Sequence, residues 1–358
     1  MSKNLYLDIN VLQTVPSSNI NRDDTGAPKT AFYGGVMRAR VSSQSWKRAT
    51  RKAFAEDGAE IGTRTLKVPQ LLAEKLMELD SSLSQEEADK MAAAALGTAG
   101  IKVKKDNVTG ALLMVSKGQI EGLAKYVLAG EELDKKEAKK NLLQGNSLDL
   151  ALFGRMVADN PELNVDASAQ VAHAISTHEI IPEYDYFTAL DDLQGKEQSG
   201  AALIQTTQYD SATLYRYANV NMGELAHNLD GKDAVEGAVT FVKDFALSMP
   251  TGKQNSFANK TVPSYLMVTV RDDTPVNLVS AFEQPATARD GKGYLENSVN
   301  KLEAEFVDTQ AFVDAPLATL VAGKFDTKIG EKEDNLNDLL DKLRDVLKKA
   351  VEDEDLNN

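Results

Sequence analysis

Near its start the chain alternates strictly, with Leu5, Leu7, Ile9 and Val11 apolar and Tyr6, Asp8 and Asn10 between them. A period of two puts successive side chains on opposite sides of a strand, so this run predicts a half-buried β-strand. Far along the chain, Tyr265 to Val270 is almost continuously apolar and predicts a second, buried strand. Ala212 to Val220 predicts another, as does Ala169 to Thr177, where Ala169, Val171, His173 and Ile175 share one face. From about residue 61 to 160 the pattern is helical instead. Three N-terminal capping signals punctuate it: Ser84 with Glu87, Ser116 with Gln119, and Asp134 with Glu137 in acidic form. Two more helices are predicted, an amphipathic one over Ala234 to Met249 and a surface one over Lys332 to Glu352. The second carries a stripe of Leu336, Leu339, Leu340, Leu343 and Leu347. Strands drawn from both ends of the chain, with helices between, predict an α+β fold: an open sheet interrupted by a helical insertion.

The connections carry their own signals. Gln13 to Lys29 is rich in Pro, Ser, Asn, Asp and Gly and predicts a loop. Ser42 and Ser43 can cap a helix over Gln44 to Ala55, which Gly58 stops. Residues 185 to 211 open on Tyr186 and Phe187, continue through Asp191, Asp192, Gly195 and Gly200, and predict a projecting hairpin, long for a mere connection. Pro250 ends the amphipathic helix before a polar loop, Gly252 to Ser256.

Composition narrows the chemistry. With no cysteine, disulfides, thiolate metal sites and a cysteine nucleophile are excluded, and the three histidines (His173, His178, His227) make a histidine-rich metal site unexpected. No cofactor is expected. No run reaches the ~20 apolar residues of a membrane span, so a cytoplasmic location and no membrane partner are the expectation. Net charge is −14, which by itself argues against nucleic acid. Its distribution argues the other way. Residues 1–52 hold nine cations (Lys3, Arg22, Lys29, Arg38, Arg40, Lys47, Arg48, Arg51, Lys52) against three acids (Asp8, Asp23, Asp24), while the rest carries −20. That asymmetry suits one surface built for a polyanion on a body that repels it.

On a helical wheel Gln44, Lys47, Arg48 and Arg51 fall within about a third of the circumference, opposite Trp46, Ala49, Thr50 and Ala53. One face can pack and the other bind. The start of this helix offers unpaired N–H groups at the positive end of its dipole, so Ser42, Ser43 and Gln44 could hold a phosphate. Arg22, Lys29, Arg38 and Arg40 are close enough in the chain to join that surface.

Several runs agree with one known family: Asn21-Arg22-Asp23-Asp24, Phe32-Tyr33-Gly34-Gly35, the stretch Arg38 to Arg51 (RARVSSQSWKRATR), and Gly154-Arg155-Met156. The agreement continues at Ala172 to Ile175 with Thr177-His178, Asp185 to Leu193 (DYFTALDDL), Tyr215 to Asn221 (YRYANVN), Lys253-Gln254 and Ala281 to Glu283. In this the chain closely resembles the CasC family, the backbone subunit of the type I-E CRISPR Cascade complex, within the RAMP superfamily. The resemblance implies an RRM-like (ferredoxin-like) palm with a helical fingers insertion and a β-hairpin thumb. Its expected parts are a first palm segment with the basic helix (1–60), fingers (61–166), a palm strand (167–184), a thumb (185–214) and a second palm segment (215–358). It further implies a non-enzymatic subunit, several copies of which stack in a helical filament along a CRISPR RNA. Expected partners are that RNA, the target DNA strand paired with it, and the Cascade subunits CasA, CasB, CasD and CasE. By matching position, Arg22, Lys29, Ser42, Gln44, Lys47, Arg48 and Arg51 would hold guide phosphates. Met156 would touch nucleic acid from the fingers, and Tyr186, Phe187, Thr188 and Ile204 would form the thumb that wedges between bases. Such a division suits sequence-independent affinity, with base pairing left to read the target.

Three catalytic readings compete. Asp23 and Asp24 lie in a loop after the first strand, where backbone subunits of type III effectors cleave target RNA, and could hold a divalent cation. His173 and His178 could process guide RNA by acid–base chemistry, although their place beside an apolar strand favours structural roles. Gly252-Lys253 lacks the spacing of a phosphate loop.

Overall fold

The computed structural model describes residues 5–130, 132–189, 203–230, 233–288 and 291–354. The chain opens with a long strand, β1 (Tyr6–Ser18), followed by the hairpin β2 (Thr30–Tyr33) and β3 (Val36–Val41). The expected loop from Gln13 is thus shorter, because β1 continues past Gln13 in register with a later strand. The two-residue turn of the β2–β3 hairpin is Gly34-Gly35, both at positive φ, a conformation that glycine enters at little steric cost. A Cβ on Gly34 would also lie 1.7 Å from the Glu283 carbonyl oxygen.

The basic helix α1 (Ser43–Glu56) follows, and then a helical lobe of β4 (Thr63–Thr65), α2 (Val68–Leu79), α3 (Gln85–Thr98), β5 (Leu113–Val115), α4 (Lys117–Leu128) and α5 (Lys135–Leu143), after which α6 (Leu148–Phe153) returns to the main core. This lobe has a core of its own, with Leu72, Leu76, Leu96, Leu123 and Leu142 fully or almost fully buried. Both Ser-led capping boxes form: Ser84 Oγ accepts from Glu87 N and Ser116 Oγ from Gln119 N, each answered by the partner's side chain. Asp134 caps α5 from one side, accepting from the backbone N–H of Lys136 and Glu137.

The predicted strand over Ala169 to Thr177 is two short ones, β6 (Ala169–Val171) and β7 (Ala174–Ser176), interrupted at Ala172-His173, so His173 is exposed. Next come β8 (Glu183–Ala189) and the 19-residue β9 (Leu203–Asn221), then α7 (Met222–Asn228), α8 (Ala234–Leu247), the single turn α9 (Gln254–Phe257) and β10 (Tyr265–Arg271). The chain closes with α10 (Leu295–Thr309), β11 (Ala318–Gly323), β12 (Glu331–Lys332) and α11 (Leu336–Glu354).

Ten strands join one sheet among the described residues, ordered β12-β11-β10-β1-β9-β7-β3-β2, with β6 and β8 also paired to β9. β1 is central, antiparallel to β9 on one side and β10 on the other. Its Leu7, Ile9 and Val11 pack with Val268 and Val270 against Phe54 of α1, Phe241 and Phe245 of α8, and Leu339, Leu343 and Leu347 of α11. Burial of each such side chain contributes on the order of 2 kcal/mol. The opposite side of β1 is not solvated as its polar residues predicted. Asp8 and Asn10 are buried there beneath Phe282, Leu302 and Phe306, contributed by the 3-10 turn Leu278–Phe282 and α10. They are satisfied by tyrosines: Tyr217 Oη donates to Asp8 (2.6 Å) and Tyr215 Oη to Asn10 (2.8 Å). No helix among the described residues is long and apolar enough to cross a membrane.

Candidate nucleic-acid interface

α1 begins at Ser42, whose extended backbone fits an N-cap, yet its hydroxyl makes no capping hydrogen bond. The helix buries Trp46, Ala49, Thr50 and Phe54, close to the predicted face, and exposes Gln44, Arg48 and Lys52. Its cations divide into two rows four residues apart. Lys47 and Arg51 turn toward α6. Lys47 Nζ lies 5.3 Å from the centre of the Phe153 ring, and burial lowers its pKa. Arg51 Nε donates to the fully buried Asp149 (2.6 Å) and its Nη2 to Gly62 O (3.0 Å). Arg48 and Lys52 turn the other way.

That second row lines a cleft of about 520 Å³ between α1, α8 and the loop around α9, where Arg22, Lys243, Lys253 and Lys260 join it. Lys243 is paired with Asp57. Asp244, beside it, is pushed up to about 7 by burial and then by the neighbouring Asp57 carboxylate. Gly252 accounts for the approach of Lys253 to Arg22, because a Cβ there would sit 2.0 Å from the Ile20 carbonyl oxygen. Only glycine lets the two loops touch. A second cavity of about 460 Å³ shares Arg22 and Lys253 and runs past Thr25 and Gly26 to Tyr184 and Gln205 to Gln208 on the hairpin. The two cavities thus form a groove from the hairpin base to the side of α1. Sequence reasoning missed Lys243 and Lys260 and left Lys253 open, because these cations are dispersed within acidic sequence some 200 residues from α1.

The hairpin of β8 with the first half of β9 projects as expected. Every residue of β8 is exposed, including Tyr184, Tyr186, Phe187 and Thr188. Thr188 pairs with Ile204 and Tyr186 with Thr206. Tyr184, Tyr186 and Thr188 point to one side and Phe187 to the other, as a period of two requires. Asp191, Asp192, Gly195 and Gly200 lie outside the described residues. On the helical lobe Met156 is 83% exposed. It follows a turn in which Gly154 takes φ 73° and the buried Arg155 donates to the carbonyls of Leu163, Met114 and Leu142.

Other motif residues turn out to be supports. Arg38, expected at the surface, is fully buried and donates to the carbonyls of Tyr33, Ser176 and Phe282. In the Tyr215 to Asn221 motif, Arg216 is sandwiched between Trp46 and Phe245, donates to Gln13, and is lowered to about 9 by burial. Asn221 caps α7. His178 stacks on Tyr294, with Nδ1 2.7 Å from Glu179 O and Nε2 accepting from Thr213 N–H. Its Nδ1 therefore carries the proton and both ring nitrogens are occupied. Asp23 Oδ1 accepts from Thr25 N, Thr25 Oγ1 and Ala27 N; these bonds, led by the hydroxyl, hold its pKa below the usual value. Lys29 and Arg40 lie beside one another below the start of α1, joined through Arg40 N–H to Lys29 O (2.9 Å).

No curated protein matches the sequence. Among solved structures, the chain superposes with a TM-score of 0.80 on a chain of a CRISPR RNA-guided surveillance complex in a pre-nicking state, at 31% identity over 95% of this chain and 99% of that one. A chain of another CRISPR RNA-guided surveillance complex matches with a TM-score of 0.64 at 28% identity, over 96% and 99% of the two chains. Residues 7–349 match the family model of the CT1975-like proteins, and the chain belongs to that family.

Proposed function

We propose that the protein is a non-catalytic backbone subunit of a CRISPR surveillance complex of the Cascade type, which holds the guide RNA in the groove between its hairpin and α1. The observation that carries this reading is the convergence of Arg22, Arg48, Lys52, Lys253 and Lys260 on one groove of a chain whose net charge is −14. These cations come from three separate segments, the loop after β1, α1 and the loop around α9, and phosphate is the ligand that such a lining suits. From the first turn of α1, Ser45 lines the cleft and Gln44 is exposed beside it, whereas Ser42 is buried with its N–H held by Asn21 Oδ1 (2.9 Å).

Support for an RRM-like palm is topological. β1, α1, β6/β7, β9, α8 and β10 follow one another, the strands order as β10-β1-β9-β6/β7 with antiparallel neighbours, and α1 packs on α8. This is the β-α-β-β-α-β arrangement. The separate core of residues 61–166 suits fingers, and the exposed hairpin suits a thumb. Motif agreement favours the type I-E kind, several copies along one CRISPR RNA, and target DNA read by the paired guide. A non-catalytic role fits Asp23, whose Oδ1 serves its own turn, and His178, whose ring has no free nitrogen.

The test is the salt dependence of guide-RNA binding. Arg48→Ala should weaken binding evenly across guide sequences and reduce the slope of log K against log salt by about 0.7, one single-strand phosphate. An unchanged slope removes Arg48 from the track, and an assembly that co-purifies with no CRISPR RNA rejects the reading.

A further inference from the structure

His173, grouped by its sequence with structural histidines, is exposed at the break between β6 and β7. Its Nδ1 stands 3.2 Å from Arg40 Nη1. A guanidinium only donates, so Nδ1 accepts and the ring proton sits on Nε2. Arg40 Nε donates to Thr30 O (2.9 Å), which holds the guanidinium in place against the ring. Lys29, from the segment just before β2, lines a small cavity with Arg40 and also acts electrostatically on the ring. Three nitrogen donors from three segments therefore converge: imidazole Nε2–H, guanidinium and ammonium. No carboxylate is among the groups that act on the ring. Burial first, then Arg40 and Lys29, lower its proton affinity. Asp210 of β9, itself pushed up to about 6 by burial, lines the same small cavity as Lys29 and Arg40. Asp210 forms no ion pair with either cation among the described residues, so the positive charge facing the ring is left for an anion from outside.

We infer that His173 and Arg40 join Lys29, which the family resemblance already assigns to a guide phosphate, in a proton-linked phosphate-binding site beside the start of α1. The inference rests on the functional reading above. The site differs from the groove in being linked to protons. In the free protein a protonated ring would face Arg40 with both groups positive, so the ring stays neutral. A phosphate between them reverses that balance: the ring takes up a proton on Nδ1, gives up the Arg40 N–H, and donates to a phosphate oxygen. The bound ring then has the higher pKa, and RNA binds more tightly as pH falls through the interval between the two values.

Guide-RNA binding by the full chain, measured at pH 8 and pH 6 at fixed salt, tests this. Affinity of the wild type should rise about fivefold at pH 6, as an upward shift of somewhat under one unit requires. His173→Asn should flatten that ratio to within about twofold of unity, and its thermal unfolding should match the wild type. Arg22→Ala should bind more weakly at both pH values and keep the wild-type ratio. If His173→Asn keeps the full pH ratio while Arg22→Ala weakens binding, the site is rejected and the guide-binding reading stands. If neither variant changes binding and the wild type prefers no guide RNA over unrelated polyanions, both are rejected.

Discussion

A single carboxylate decides what one of the arginines can be used for. Asp149 is fully buried, and its Oδ1 accepts from Gly62 N, Leu150 N and Ser147 Oγ while Oδ2 takes Arg51 Nε. A charge in that position needs its cation, and removing the cation from such a pair costs about 3 kcal/mol. Arg51→Ala is therefore expected to destabilise the fold by about that amount, whereas Arg48→Ala, exposed, changes stability by under about 0.5 kcal/mol. Urea unfolding of the two variants checks this, and similar midpoints would show that Arg51 is not an anchor. The helical wheel saw these two residues as equivalent, because it knows direction about the axis and nothing of what stands opposite. For the same reason Arg38 looked like a surface cation: a buried arginine satisfied by three carbonyls carries no local mark in sequence.

At the scale of elements, legibility followed the distance between the interacting parts. The capping boxes of α3 and α4 were readable because both partners lie within one turn, and the α11 stripe because its period is its own evidence. The β2–β3 hairpin was missed, although Gly34-Gly35 is a turn signal, and the split between β6 and β7 follows from a shift in register against β9. The projecting hairpin of β8 and β9 was anticipated, and its exposed rings suggest their use. Phe187 is partly shielded at 38% exposure and points away from Tyr184 and Tyr186, so it can meet a base without blocking the groove. Stacking of this kind contributes about 1–3 kcal/mol per base. Phe187→Ala is expected to reduce guide affinity about fivefold, the low end of that range, and to erase the regular spacing of nuclease-protected positions along the guide. Retention of the full periodicity would assign the wedge to another residue.

Across the whole molecule, acidic charge is spread around a basic groove, and some of the acid is stored inside. Burial raises Asp8 to about 6, Asp210 to about 6 and Asp244 to about 7. An unfolded aspartate ionises near pH 4, so between there and pH 7 the folded chain keeps protons that the unfolded chain releases. Each of these residues therefore costs stability as pH rises through that window, and the cost is complete above it. Asp244→Asn removes the largest share: it should stabilise the protein by about 2 kcal/mol at pH 8 and by little at pH 4, where both side chains are neutral. A thermal shift that is equal at both pH values would mean that the carboxyl is not held protonated. The order of the sheet and the location of the groove depend on contacts spanning some 200 residues, which no local pattern encodes. The unbroken course of β9 has one further consequence. A strand that leaves the sheet and becomes the arm of the hairpin has no joint at its root, so it works as a cantilever. Its reach is counted in residues at about 3.3 Å each, so the length of the strand alone sets how far the hairpin stands out from the sheet.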